Sequence, residues 1–191
     1  MAGSILGDPL IFVVDFLLGL VVLIFMLRLL FQLARADYNN PVSQFIVTVT
    51  NPLLRPLRRF IPGWGGIDWS SVIVIVAIQA ITVVLLVLLQ KGFGVSFTAS
   101  ELFVVTLHKL VSLLFNIYIF SIIILIILSW VAPGVYNPIA ALLASLTEPL
   151  MRPARRYIPP MGGFDFSPMA VLLVLYVLQM IVLRLIERIP L

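Results

Sequence analysis

The chain has no cysteine and one histidine, and few of its residues are charged, so several kinds of chemistry are excluded at once. Without cysteine there is no disulfide, no thiolate nucleophile and no cysteine-ligated metal site. A single histidine, His108, leaves any metal or bis-histidine haem site without a second ligand of that kind. Charged residues make up 10% of the chain, against about 25% in an ordinary soluble domain. This chain therefore has too little charge to cover a water-exposed surface.

The motifs that accompany enzyme chemistry are missing as well. The sequence contains no paired carboxylates, no nucleophile elbow and no glycine-rich phosphate loop. We therefore predict that the protein is not an enzyme, with no catalytic residue, no cofactor and no metal site. The net charge of +4 is small, and we expect no nucleic-acid partner.

Apolar residues are abundant: 62% of the chain is hydrophobic and the mean hydropathy is +1.21. A bilayer core about 30 Å thick requires about 20 apolar residues for each helical span. In lipid, only a helix satisfies its backbone hydrogen bonds within one segment. The sequence therefore predicts an all-α membrane protein with four transmembrane helices. A capping-box pattern at Thr98–Glu101 predicts that the third helix begins before the membrane. The four spans are expected at about 9–33, 70–90, 108–131 and 167–186.

One stretch of sequence occurs twice, at a fixed offset of 97 residues. TNPLLRPLRRFIPGWGGIDWS at 50–70 returns as TEPLMRPARRYIPPMGGFDFS at 147–167, with thirteen of twenty-one positions identical and no gap. The dipeptide Asn40-Pro41 recurs as Asn137-Pro138 at the same offset. This pattern predicts a tandem parallel duplication, unlike the inverted repeats common in transporters, with a first repeat at 1–97 and a second at 98–191. Both motif loops must then face one compartment.

The distribution of basic residues indicates which compartment that is. Cytoplasmic loops of membrane proteins carry an excess of lysine and arginine. The motif side holds seven such residues: Arg35, Arg55, Arg58, Arg59, Arg152, Arg155 and Arg156. The opposite side holds four: Lys91, Lys109, Arg184 and Arg188. We therefore expect cytoplasmic motif loops and both termini on the outer side.

Each motif loop has the pattern of an amphipathic helix, over 40–62 in the first repeat and 137–159 in the second. Seven apolar residues share one face at helical spacing: Val42, Phe45, Ile46, Val49, Leu53, Leu57 and Phe60. Because Pro56 falls inside the pattern, we expect a kink or stop there and hence a broken helix in the membrane interface. The structural motif comprises Asn40, Pro41, Pro52, Pro56, Pro62, Gly65, Gly66 and Asp68, and in the second copy Asn137, Pro138, Pro149, Pro153, Pro159, Gly162, Gly163 and Asp165.

The arginine clusters of the two loops admit two interpretations. A basic residue near an anionic membrane surface contributes about 1 kcal/mol of attraction, which would make the clusters anchors for lipid headgroups. Alternatively, arginines held in register with prolines in both copies form a docking surface for a partner. The candidate residues are Arg55, Arg58, Arg59, Arg152, Arg155 and Arg156.

Several polar side chains fall within the predicted spans. Ionisable groups in the membrane usually pair, so Asp15 and Arg184, both on the outer side, are predicted to pair unless each reaches the headgroups alone. Arg28 is expected to extend to the cytoplasmic surface. Three amides at mid-depth are expected to act as hydrogen-bond glue between helices, with a polar path as the alternative: Gln79, Asn116 and Gln179.

The block NP…TNPLLRPLRRFIPxxGGIDxS and its second copy EPLMRPARRYIPPMGGFDFSP resemble the YggT family of bacterial inner-membrane proteins. The resemblance is to the two-repeat proteobacterial members and extends over essentially the whole chain. Glu148, in place of the amide at Asn51, is the main departure within the motif. The resemblance implies a multi-pass protein of the bacterial inner membrane without known catalysis. In that membrane, the distribution of basic residues described above would make both termini periplasmic.

The resemblance implies several different roles. Chloroplast members resemble assembly factors for haem attachment to a membrane cytochrome, some bacterial members are linked to cell division, and enterobacterial members to osmotic tolerance and potassium homeostasis. Since this chain cannot hold haem, an assembly role would be scaffolding. We therefore expect a scaffold or assembly factor that contacts anionic headgroups and a membrane or cytoplasmic protein partner, with homo-oligomerisation left open. The alternative is ion homeostasis, as a transporter or a transporter modulator.

Overall fold

A computed structural model describes residues 7–92, 98–131, 135–158 and 165–189 of the chain. Over these ranges the protein is helical, and an isolated antiparallel bridge between Trp64 and Ile67 is its only extended pairing. The helices in chain order are α1 (Gly7–Leu33), α2 (Pro41–Leu57), α3 (Trp69–Lys91), α4 (Ala99–Val131), α5 (Pro138–Tyr157) and α6 (Ser167–Glu187).

Four helices, α1, α3, α4 and α6, are long and apolar enough to cross a membrane, as predicted. Helix α4 begins at Ala99, because the Thr98 hydroxyl accepts from Glu101 N–H and Glu101 accepts from Thr98 N–H. These reciprocal bonds form the expected capping box. Large apolar side chains such as Phe12, Ile81 and Leu173 point outward, as expected for helices solvated by lipid.

The spans pack first within each repeat and then between repeats. Helix α1 packs on α3, α4 packs on α6, and α3 joins the repeats by packing on α4. The first repeat is centred on Val22, Phe25 and Leu30 of α1, and the second on Ile119 and Ile122 of α4. The tandem use of one helix–loop–helix unit is thus visible in the packing.

The short helices α2 and α5 start alike. The Asn40 side chain accepts from Val42 N–H at 2.9 Å, and the Asn137 side chain accepts from Ile139 N–H at 2.9 Å. In each case proline occupies the first turn, where its missing N–H is harmless. Sequence reasoning placed these caps correctly, because asparagine followed by proline is a local signal.

The expected stop at Pro56 is found, since α2 ends at Leu57, but α5 has no corresponding stop at Pro153. Helix α2 continues through Pro52 and ends one residue after Pro56, and α5 continues through Pro149 and Pro153. An interior proline costs about 3 kcal/mol. Burial of one stripe of each helix offsets that cost: Ser43, Ile46, Thr50 and Leu54 in α2, and Leu142, Leu143, Leu146, Thr147 and Met151 in α5.

The apolar face predicted for α2 is divided in the structure. Ile46 faces the protein, whereas Phe45, Val49 and Leu53 face outward. The inner stripe also contains Thr50, which the hydrophobic pattern had assigned no role. Hydrophobicity alone cannot distinguish an apolar residue that packs on the protein from one that points outward.

The two motif loops lie at the same end of the bundle, which we call the motif face. Asn40 donates its side-chain N–H to the carbonyl of Pro138 at 2.7 Å, so the N-terminus of α2 meets that of α5. Helix α5 also contacts α1. The expectation that both loops face one compartment agrees with this arrangement.

Candidate functional site

The loop after α2 is closed by an ion pair. Arg58 donates to the Asp68 carboxylate, and Ser71 donates to the same carboxylate oxygen at 2.7 Å. Ser70 donates to the carbonyl of Ile61 at 2.8 Å. Burial raises the pKa of Asp68, but the hydrogen bonds from Arg58 and Ser71 and the charge of Arg58 outweigh burial, so the pKa lies below its ordinary value.

The turn inside this loop depends on two glycines. Gly65 and Gly66 have φ of 66° and 80°, in the region that favours glycine. They let the chain reverse between Trp64 and Ile67, whose backbones exchange hydrogen bonds of 3.2 Å. The reversal brings Asp68 back to Arg58. The motif therefore spaces arginine, glycines and aspartate so that the loop closes on itself.

The second loop repeats this closure with weaker burial. Arg155 donates to Asp165 at 3.1 Å, and Ser167 donates to the carbonyl of Ile158 at 2.9 Å. Burial raises the pKa of Asp165, but hydrogen bonds from Ser167 and Arg155 outweigh it and lower the pKa overall. The Asp165 side chain is 33% exposed, against 6% for Asp68. The predicted motif residues Pro159, Gly162 and Gly163 lie outside the described residues.

The six motif arginines therefore divide into two groups. Arg58 and Arg155 are occupied within their own loops. The remaining four are exposed and make no hydrogen bond or ion pair within the part of the chain that the structure describes: Arg55, Arg59, Arg152 and Arg156. Exposed aromatic side chains lie in the same segments: Phe60, Trp64 and Tyr157. The motif face thus carries free cations beside aromatic rings.

Arg28 does not extend to the surface as expected. Its side chain is buried, with 8% exposure, and donates to the Val47 carbonyl at 3.2 Å, to Thr50 Oγ1, and to Asn51 Oδ1 at 3.0 Å. The expectation failed because α2 lies across the end of α1 and brings acceptors to the guanidinium. The sequence did contain a signal for this contact. Ser43, Ile46 and Thr50 are spaced to share one helix face, and that face carries two hydroxyl groups.

The motif face holds a cavity in each repeat. The first-repeat cavity, of about 650 Å³, is lined by Arg28, Phe31, Gln32, Ala36, Tyr38, Ser43, Ile46, Val47, Arg58, Pro62, Gly63 and Asp68. The second-repeat cavity, of about 760 Å³, is lined mainly by apolar side chains, together with Thr147, Glu148, Arg155 and Asp165. Five lining positions of the first recur in the second at the offset of 97, as Leu125, Ser129, Ala144, Arg155 and Asp165. The two repeats therefore have cavities at equivalent places, but the side chains that line them differ.

The predicted Asp15–Arg184 pair is wrong. Asp15 accepts from Lys109 Nζ at 2.9 Å, and His108 lies 3.2 Å from the carboxylate of Glu187. Among the described residues α1 packs on α3 and α4 and makes no contact with α6. Arg184 was predicted as the partner of Asp15 because the two residues lie at similar depth in the membrane. Pairing also requires that their helices be adjacent, and α4 contacts both α1 and α6.

The three mid-depth amides are divided between two tasks. Gln179 donates to Asn116 at 3.0 Å and links α6 to α4. Gln79 and Asn116 line an outer cavity of about 420 Å³, together with Asp15, Gly19, Thr82, His108, Lys109, Ser112 and Leu113. Asn116 thus serves both as hydrogen-bond glue and as part of a polar lining. No group of three or more histidine, aspartate or glutamate side chains that could hold a metal comes together within the described ranges.

Comparison with known proteins agrees with the duplication. The family model CCB3/YggT matches residues 7–89 and again 104–186, two segments of equal length whose positions are offset by 97 residues, as are those of the motif copies. The chain belongs to the CCB3/YggT family.

Relatives within the family are similar over most of their length. An uncharacterized protein of Pseudomonas aeruginosa is 43% identical over 179 residues, which is 94% of this chain and 90% of the relative. The uncharacterized YggT protein of Escherichia coli K12 is 38% identical over 173 residues, 91% of this chain and 88% of the relative. A Vibrio alginolyticus protein is 40% identical over 156 residues, 82% and 83% of the two chains. No solved structure matches the chain.

Proposed function

We propose that this family member is a non-enzymatic membrane scaffold that holds a protein partner at its motif face. One observation carries the proposal: each loop uses one arginine to close itself and leaves two others exposed. The occupied arginines, Arg58 and Arg155, fix the loop. The exposed arginines are then held in fixed positions by the closed loops. Attraction to lipid headgroups does not need fixed positions, whereas recognition of a protein partner does.

The composition of the motif face supports a protein partner. Arginine and aromatic residues are enriched where protein interfaces carry most of their binding energy. Here Phe60, Trp64 and Tyr157 are exposed beside the free arginines. Because the Asn40–Pro138 hydrogen bond holds the loops together, one partner can contact both. Two linked contacts raise the overall affinity well above that of either alone, so acidic segments on the partner would engage both loops.

Native co-purification from membranes tests this function. The test variant carries glutamine at Arg55, Arg59, Arg152 and Arg156, which leaves both loop-closing ion pairs intact. The control variant carries glutamine at Arg184 and Arg188, which are exposed at the opposite end. A stoichiometric partner that is retained by wild type and control but lost from the test variant is the expected result. No protein partner with any of the three proteins would overturn the proposal.

The orientation of the scaffold is part of the proposal. The excess of basic residues on the motif side supports cytoplasmic motif loops, periplasmic termini and a location in the bacterial inner membrane. Because the chain has no cysteine, a single cysteine introduced at exposed Gln44 or at exposed Glu187 is a clean probe. We expect a membrane-impermeant maleimide added to intact spheroplasts to label the Glu187 site and not the Gln44 site. Labelling of Gln44 alone would invert the assignment.

Ion homeostasis is a second candidate, which the outer cavity favours. Buried Gln79 lies there beside Thr82 and Asn116, and the Asp15–Lys109 pair lies on the same cavity. Polar groups at this depth are expected to mark substrate or ion paths. Potassium flux into liposomes containing only this protein, abolished by Gln79→Leu and unaffected by Gln90→Leu at the exposed end of α3, would support transport. Absence of flux would leave the scaffold proposal standing alone.

A further inference from the structure

The first-repeat cavity contains a buried hydroxyl with no partner. Ser43 lines this cavity and is 7% exposed, and its Oγ makes no hydrogen bond within the described part of the chain. A buried polar atom left unsatisfied costs about 1–3 kcal/mol. The Thr50 hydroxyl on the same stripe is bonded to the Ile46 carbonyl at 2.6 Å and to Arg28. Ser43 therefore carries an unsatisfied buried hydroxyl at the wall of this cavity.

The cavity also has an unbalanced positive charge. Its charged lining residues are Arg28, Arg58 and Asp68. Asp68 is matched by Arg58, whereas Arg28 is bonded only to neutral acceptors, and its guanidinium keeps N–H donors to spare. Ser43 lies in the first turn of α2, where the helix dipole also favours an anion. The missing partner of this cavity is therefore an anion.

We propose that the first-repeat cavity binds one anionic phospholipid, with its phosphate held by Arg28 and Ser43 and its glycerol against Phe31 and Ile46. The depth fits: Arg28 lies five residues before the end of α1 at Leu33, which is about 8 Å along a helix. The cavity, at about 650 Å³, falls in the range of small-molecule sites and has room for more than a phosphate ion. Its apolar wall beside a cation matches a lipid better than a soluble anion.

The second-repeat cavity serves as an internal control. Leu125 stands at the position of Arg28, Ala140 at that of Ser43, and Glu148 at that of Asn51. Its charged lining residues are Arg155, Asp165 and Glu148, so the local balance is negative. We therefore expect no anionic lipid to bind in the second-repeat cavity. The stoichiometry expected for the whole chain is therefore one bound lipid and not two.

Native mass spectrometry of the purified full chain, taken from detergent with phosphatidylglycerol or phosphatidylcholine added, tests the site. Wild type is expected to retain one phosphatidylglycerol in preference to phosphatidylcholine. Ser43→Ala removes a donor that has no partner inside the protein, so folding is unaffected while lipid binding falls about tenfold. Ser145→Ala on α5 is the matched control, because Ser145 bonds only the Ala141 carbonyl and lies outside both cavities, and it is expected to bind as wild type.

A second variant and a competitor complete the design. Arg28→Lys retains the charge but loses the planar fork of donors, and we expect it to bind phosphatidylglycerol about tenfold more weakly. Equal retention of the two lipids by wild type, or unchanged binding by both Ser43→Ala and Arg28→Lys, would overturn the proposal. Displacement of the lipid by millimolar inorganic phosphate would assign the cavity to a soluble anion instead. No partner is present in this experiment, so its outcome is independent of the scaffold proposal.

Discussion

The two repeats can be compared position by position, because each residue of one motif has its counterpart 97 residues away. Both contain the asparagine cap, the helix with two internal prolines and the arginine–aspartate pair. They differ at the cavity, where Arg28 and its hydrogen-bond partner Asn51 in the first repeat are replaced by Leu125 and Glu148 in the second. The shared positions build the loop, and the divergent positions set the charge of the space beneath it.

Within one chain, the shared positions therefore show what the loop framework needs, and the divergent positions show what distinguishes one cavity from the other. Thr50 and Thr147 are both fully buried, and each donates to a carbonyl of its own helix. Only Thr50 also accepts from an arginine. Paired substitutions at equivalent positions therefore measure what each repeat adds to the common framework. In every case the free energy of unfolding is obtained by denaturant titration in mixed micelles.

The largest difference is expected at the buried threonines. Thr50→Val removes an acceptor from the buried Arg28 guanidinium, and a hydrogen bond to a charged group contributes about 2–3 kcal/mol. Thr147→Val removes only a bond to the carbonyl of Leu143, so we expect a loss of about 0.5–1 kcal/mol. Valine preserves the shape in both. Equal losses would mean that Arg28 does not rely on Thr50.

The next difference is expected at the asparagine caps. Asn40→Ala loses both the bond to Val42 N–H and the inter-repeat bond to Pro138, about 2 kcal/mol in all. Asn137→Ala loses only its cap, about 1 kcal/mol. Asn40→Asp probes the second contact, because aspartate still caps but sets a buried carboxylate oxygen against the Pro138 carbonyl in place of the N–H donor. If Asn40→Asp matched wild type, the junction between α2 and α5 would contribute nothing.

Much of this architecture could be predicted from the sequence, for identifiable reasons. Span length is set by bilayer thickness, and a repeat with its prolines in register is visible without any structure. Asparagine followed by proline predicts a helix N-cap, which depends on only three adjacent residues. Each of these signals is local or periodic, so no knowledge of helix packing is needed to read it.

The remaining errors all concern which helix lies beside which. Asp15 pairs with Lys109 and not with Arg184, because among the described residues α4 contacts α1 and α6 does not. Arg28 is buried because α2 covers it. The unpartnered hydroxyl of Ser43 was missed for the same reason. A hydropathy pattern indicates how deep a residue lies in the membrane, but it does not indicate which helix packs against that residue.

A smaller difference is expected at the loop-closing ion pairs. Asp68→Asn removes a carboxylate that is 6% exposed and accepts from Arg58 and Ser71, and should cost about 1.5 kcal/mol at pH 7, whereas Asp165→Asn removes a carboxylate that is one-third exposed and should cost less than about 1 kcal/mol.

The pH dependence checks the same pair. Because the folded pKa of Asp68 lies below its ordinary value, its stabilising contribution is complete above the unfolded pKa of about 3.9. That contribution is lost as the pH falls from there through the folded value. Asp68→Asn should therefore flatten this part of the stability profile more than Asp165→Asn does. Parallel wild-type and Asp68→Asn profiles between pH 5 and the acid limit would show that Arg58 holds no ionised carboxylate.

The smallest difference is expected where the repeats are most alike. Ser70 and Ser167 are both fully buried and donate to the carbonyls of Ile61 and Ile158 at 2.8 and 2.9 Å. Each serine fastens the start of the following span to the end of the preceding loop. Alanine at either position leaves one buried carbonyl with fewer partners, so both variants should lose about 1 kcal/mol. A difference between them larger than about 0.5 kcal/mol would mean that the divergent cavities affect the framework itself, and that the two repeats are not one structural unit used twice.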